Sequence, residues 1–253
     1  EKVIHMMSGE ELMHKMQFKG YDINVFGFHI PISDSIIIMW IVMAVLIVLS
    51  IIFTRNLRLV PTGKQNVAEV IVEFVNNLTK GSLGHYWKPF APYFGTLLLF
   101  LVFSNIISIF NIIPSGKGIA ELTGLSFLEH FPEIAPPTKD FNVAAALAVM
   151  SIFLVLFAAI KYKGVKGWLK SFLEPIPVLL PFKILEYFIR PMSLTLRLFG
   201  NILAAFTIME LIYFAVPIVV PSFLSIYFDL FDGGLQAYIF VFLTLLYVGE
   251  AIE

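Results

Sequence analysis

Apolar runs recur along this chain at lengths that set its architecture. Residues 35–54 carry no charge, and at 1.5 Å per residue such a helix rises about 30 Å, the thickness of a bilayer's hydrocarbon core. Further runs cover residues 93–113, 143–160 and 222–248. Between the last two, residues 182–220 form a run too long for one perpendicular crossing, interrupted by Glu186, Arg190, Pro191 and Arg197. Such excess length is taken up by tilt, by a kink at Pro191, or by a stretch lying along the membrane. The pattern predicts an all-α polytopic membrane protein with about five membrane-embedded helical segments, the last two long and tilted. An extracytoplasmic N-terminal segment, residues 1–34, then precedes a membrane domain, residues 35–253. Residues 164–181 set Trp168, Leu169, Phe172 and Leu173 among lysines, which predicts an interfacial helix before a Pro-rich turn. No internal repeat of the kind common in secondary transporters is evident.

The loops supply direction. Arg55, Arg58, Lys64, Lys80 and Lys88 fall between the first two spans, and Lys161, Lys163, Lys166, Lys170 and Lys183 follow the third. The loop at 114–142 holds Lys117 and Lys139 beside Glu121, Glu129, Glu133 and Asp140. Basic loops stay on the cytoplasmic side. The N-terminus is therefore expected outside and the C-terminus in the cytoplasm, a charge asymmetry that fits a bacterial inner (plasma) membrane.

Composition agrees with the spans and narrows the chemistry. Of 253 residues 58% are hydrophobic, mean hydropathy is +0.88, and 14% are charged, against about 25% in soluble domains. A net charge of −1 argues against a nucleic-acid partner. There is no cysteine, and His5, His14, His29, His85 and His130 all lie outside the spans. With no His-Glu-x-x-His, nucleophile elbow or phosphate-cradling loop, the chain is expected to be no catalyst itself and to need no cofactor.

What remains is charge inside apolar segments. Arg197 stays protonated at any ordinary pH, and a charge at mid-membrane costs roughly 2.5–3.5 kcal/mol unless it meets water or a counter-charge. At about 100° per residue, Arg190, Ser193, Arg197, Asn201 and Ala204 share one stripe. Glu186 stands one turn before Arg190, a spacing for an intrahelical ion pair, whereas Arg197 has no acid at i±3 or i±4. Its partner must come from another helix, another subunit or water. In the last span Asp229, Asp232 and Gln236 share a face. They suit a wet path from the outer end, or the two aspartates cap a helix end ahead of Gly233 and Gly234. Glu210, about 220° around from Arg197, is placed for an outer vestibule or a protein interface. Asp140 and Asn142 sit at the outer mouth of the third span, where a helix N-cap is the ordinary reading. Asn105 and Asn111 in the second span can bond across helices.

The run Arg190-Pro191-Met192-Ser193-Leu194-Thr195-Leu196-Arg197-Leu198-Phe199-Gly200-Asn201 resembles the signature of subunit a of the F-type rotary ATP synthase. Leu235-Gln236-Ala237-Tyr238-Ile239-Phe240 resembles that family's final helix, and Pro136-Pro137-Thr138 with Asp140, Asn142 and Asn105 adds to the likeness, which runs from about residue 55 to residue 253. The resemblance implies a stator that faces a c-ring, is held by a subunit b peripheral stalk, and passes H⁺ or Na⁺ through two aqueous half-channels to and from the ring carboxylates. It implies that Arg197 is the electrostatic barrier between the half-channels, that Asn201 and Gln236 sit beside it, and that Asp229 lies on the uptake path. Many relatives carry an acid nine residues after the arginine, where this chain has Phe206. Uptake polarity would then rest on Asp229, Asp232 and Glu210. A self-contained ion or solute transporter would need its own carboxylate near Arg197, and a membrane-embedded enzyme would need a nucleophile–base or metal cluster at one depth.

Overall fold

The computed structural model of the chain describes residues 20–25, 28–55, 57–107, 136–172, 178, 180–215, 224 and 226–252. Two short strands, β1 (Gly20–Val25) and β2 (Phe28–Ser33), pair antiparallel with Gly20 opposite Ser33 and Val25 opposite Phe28. The longer elements described after them are all helices: α1 (Asp34–Thr54), α2 (Lys64–Leu83), α3 (Ala91–Ile106), α4 (Phe141–Ser171), α5 (Leu180–Ala215) and α6 (Gly233–Ile252). The helical class holds, with one hairpin added where the N-terminal segment runs directly into α1.

Among the described residues four helical segments are long and apolar enough to cross a membrane, and α3 is a shorter apolar helix beside them. The expected span at 93–113 is α3 for the part that ends at Ile106, and residues 108–113 lie outside the described residues. The short third span lengthens into α4, whose 31 residues are broken at Gly164, with φ of 71°. That left-handed conformation is cheap only for glycine, and it turns the expected interfacial piece away from the crossing. The piece stays helical to Ser171, and residues 173–177, on the way to the expected Pro-rich turn, lie outside the described residues. Its end is tied to α5, because Trp168 Nε1 donates to the Tyr187 hydroxyl at 3.2 Å and the Phe172 ring stacks on Tyr187.

Helix α5 takes up its excess length without leaving helical conformation, running 36 residues with Pro191 inside it. At about 54 Å it exceeds the roughly 30 Å core and must tilt or extend beyond it. The last span begins as a π-helix, Ile226–Asp232, and changes to α-helix at Gly233.

Helix α2 falls in the stretch read from the sequence as a basic loop, because its apolar residues alternate with Lys64, Glu69, Glu73 and Lys80. Val75, Thr79 and Leu83 recur at helical spacing and are buried, and this face packs on α3 and α6. Gln65 fixes its start, accepting from the Arg58 backbone N–H at 2.9 Å and donating to the Arg58 carbonyl at 2.8 Å.

The core centres on α6. Its Ala237, Phe240, Val241, Leu245 and Val248 are fully buried against α3, with Phe94 and Leu101, and against α4, with Ala144, Ala148, Val155 and Ala158. Without a hydrophobic drive between helices in lipid, close van der Waals packing holds them, and small residues on α4 let the backbones approach. Helix α5 buries Leu194, Leu198 and Ile202 on one side and exposes Met192, Leu196, Ile208 and Leu211 on another.

Candidate functional site

The burial pattern of α5 fixes where its charges point. Leu194, Leu198 and Ile202, spaced by four, are drawn into the core, which leaves Arg197, Gly200, Asn201 and Ala204 along the border between buried and exposed sides. On α6 and the π segment before it, Asp232, Leu235, Gln236 and Ile239 present a matching edge. The two edges enclose an open groove of about 400 Å³, in which the small Gly200 and Ala204 leave space between the polar groups.

Polar chemistry inside the groove is sparse and directed. The Asn201 Nδ2 donates to Asp232 Oδ2 at 3.0 Å, joining α5 to the end of the π segment. Gln236 is 4% exposed, and its Nε2 is buried with no hydrogen-bond partner among the described residues. A buried amide left unpaired costs on the order of 1–3 kcal/mol. Arg197 is exposed at the rim and forms no ion pair with the described residues.

Arg190, seven residues earlier, is the opposite case. Its guanidinium pairs with Glu186, as the spacing predicts, and its NH2 group also reaches Glu250 Oε2 of α6 at 2.6 Å. The guanidinium carbon lies 4.6 Å from the Tyr247 ring centre. Glu250 was not found from the sequence because it lies sixty residues away in the chain.

Other expected site residues are placed elsewhere or carry no described side chain. Asp140 is the N-cap of α4, accepting from the Asn142 N–H at 2.9 Å, and also accepts from the Ser33 hydroxyl at 3.3 Å. It is buried, and neither it nor the exposed Asn142 lines the groove. The backbones of Glu210 in α5 and Asp229 in the π segment are described, and their side chains lie outside the described residues. Residues 108–135, including Asn111, also lie outside them.

Three further groups make contacts near the groove, of which only the cross-helix bonding of Asn105 was expected. Lys139, 5% exposed, sits in the buried 3-10 turn Pro137–Lys139 with its ammonium 3.1 Å from the centre of the Phe206 ring. A lysine between two prolines and a capping aspartate was the available signal. Thr138 and Asn105 link the same turn to Gly233, a connection between distant segments that no local pattern reveals. Among the described residues no group of three His, Cys, Asp or Glu side chains is placed to hold a metal ion.

Two comparisons with known proteins bear on this arrangement. The family model described as "ATP synthase A chain" matches residues 36–249, a range that contains the whole groove. The chain is also 34% identical over 252 residues to a protein of Propionigenium modestum named "ATP synthase subunit a, sodium ion specific", covering 99% of this chain and 84% of that protein.

Proposed function

The chain belongs to the ATP synthase A chain family, and from that premise we propose how its groove moves ions as the stator subunit beside a rotating c-ring. The observation that carries the reading is Arg197, a permanent cation exposed at the groove rim with no ion pair among the described residues. A carboxylate carried past this rim by the ring supplies the missing counter-charge. The guanidinium favours the ionised carboxylate and so promotes release of its bound ion. Because arginine cannot give up its proton, it repels cations between the two half-channels without relaying protons itself.

Asp232, Asn201 and Gln236 form the polar approach to this charge. Asp232 offers carboxylate oxygens to an incoming cation, Asn201 holds that carboxylate, and the unpaired Gln236 Nε2 is free to donate to a ring carboxylate or to water. Asp229 and Glu210 extend the approach outward, and Asp140 with Asn142 marks the outer mouth at the start of α4. The transported ion is H⁺ or Na⁺. The sodium-specific relative supports the second, and the oxygen donors of the groove accommodate either. The subunit is non-catalytic, and a subunit b stalk holds it against the ring.

Membrane placement follows the loops. The N-terminus and residues 1–34 lie outside, the membrane domain spans residues 35–253, and the C-terminus is cytoplasmic in a bacterial inner membrane. Two contacts support the alternation of helices: Ser33 and Asp140 join the starts of α1 and α4, and Arg190 and Glu250 join the first part of α5 to the end of α6.

The deciding experiment measures ion-gradient-driven ATP synthesis and passive ion leak in vesicles carrying the whole complex with Arg197→Ala. Synthesis is expected to vanish and leak to rise while the complex still assembles. Retained synthesis at normal assembly refutes the stator role of Arg197.

A further inference from the structure

Behind the groove, Asn105 near the end of α3 is 3% exposed and bridges two elements. Its Nδ2 donates to the Gly233 carbonyl at 2.8 Å, and its Oδ1 accepts from the Thr138 hydroxyl at 3.0 Å. Thr138 is itself fully buried in the 3-10 turn, so one end of the bridge is seated in packed structure. At the other end, a Cβ on Gly233 would lie 2.8 Å from the Asn105 Cβ. Only glycine lets the two backbones come this close.

Gly233 is also the residue at which the π-helix Ile226–Asp232 gives way to α6. A π turn holds about one residue more than an α turn and is uncommon outside sites where it serves a purpose. Asp232 is its last residue, bonded directly to Gly233, so a junction let go at Gly233 shifts Asp232 itself. The Asp232 carboxylate would then leave Asn201, which it meets at 3.0 Å.

We propose that Asn105 is a positioning residue for ion transfer: anchored by Thr138, it fixes the π-to-α junction at Gly233 and so aims Asp232 into the groove beside Asn201 and Arg197. The inference rests on the reading of the groove as an ion path. It gives Asn105 a task beyond gluing α3 to α6, because the held carbonyl adjoins the residue whose direction matters.

The test uses vesicles carrying the whole complex, with synthesis normalised to assembled complex and, at each pH, to the unsubstituted protein. Asn105→Asp preserves shape and can donate to the Gly233 carbonyl only when protonated. The titratable groups on the turn and the π segment beside it are Lys139 and Asp140, and Tyr227, Asp229 and Asp232. Asn105→Asp is expected to match the unsubstituted protein at low external pH and to fall about ten-fold as the new carboxyl ionises. Asn105→Leu, with no donor, is expected to raise the half-saturating concentration of the external driving cation about ten-fold, more than it lowers the maximal rate. The proposal is overturned if Asn105→Asp follows the unsubstituted protein at every pH, or if Asn105→Leu lowers the maximal rate alone. Should Asn105→Leu fail to assemble, the Asn105→Asp profile decides. Asp232→Asn separates the two levels of inference. If it leaves synthesis unchanged, the reading of Asp232 falls and takes the positioning role with it; if it impairs synthesis while the Asn105 variants do not, the positioning role alone falls.

Discussion

Two arginines seven residues apart in one helix show how partners, more than residue type, set a role. Arg190 is held by Glu186, Glu250 and the Tyr247 ring. Both of its acids are more than half exposed, and pairs of that kind contribute about 0–1 kcal/mol. Arg197 has no such support within the described residues. Gln236 makes the same distinction in neutral form. Replacing it by leucine removes a buried amide whose nitrogen has no partner, so Gln236→Leu is expected to leave the melting temperature of the purified complex unchanged or raised. Synthesis should fall roughly ten-fold or more if the amide serves ion transfer. A lower melting temperature with full synthesis would mark Gln236 as a packing residue. The stripe from Arg190 to Ala204 was legible because helical periodicity is local, and so was the Glu186 pairing. The Glu250 and Asp232 contacts were not, because they depend on how two helices lie against one another.

Among the elements, uniform apolar runs declared themselves and mixed ones did not. Helix α1, buried only at Ser35 and Val42 along its length, reads as a span from any window of its sequence. Helix α2 escaped because charges interrupt its apolar positions, although Val75, Thr79 and Leu83 keep helical spacing. The Gly233-Gly234 pair signalled a break in the last span, and the break is a change of winding where a helix end was one expectation. Gly164 is the clearest local device, since its φ of 71° turns α4 at the end of its crossing. Gly164→Ala forces a Cβ into that conformation, with φ of 71° and ψ of 162°, at a cost of roughly 1–3 kcal/mol. The expected result is a lower melting temperature of the assembled complex. An unchanged melting temperature would mean the helix straightens there without penalty, which the Trp168 and Tyr187 contact beyond the turn opposes.

At the scale of the whole molecule, the fold is a rigid backing for one charged edge. Helix α6 is packed by α2, α3 and α4, so the groove wall is held from behind while the α5 side with Met192, Leu196, Ile208 and Leu211 stays open. The exposed Arg197 at that edge has a consequence for the life of the subunit before it is assembled. On the proposed function, an isolated chain keeps a permanent cation at a membrane-embedded rim, where insertion scales put the cost at roughly 2.5–3.5 kcal/mol. The ring removes that burden by supplying carboxylates, so binding the ring also stabilises the chain. In cells lacking the ring, pulse-chase labelling should find the chain short-lived, and Arg197→Leu should lengthen its lifetime. Equal lifetimes would show that the free chain already shelters the charge. A short lifetime lengthened by Arg197→Leu would mean that membrane quality control acts on the same guanidinium proposed to drive ion release, removing solitary stators before they open an ungated path across the membrane.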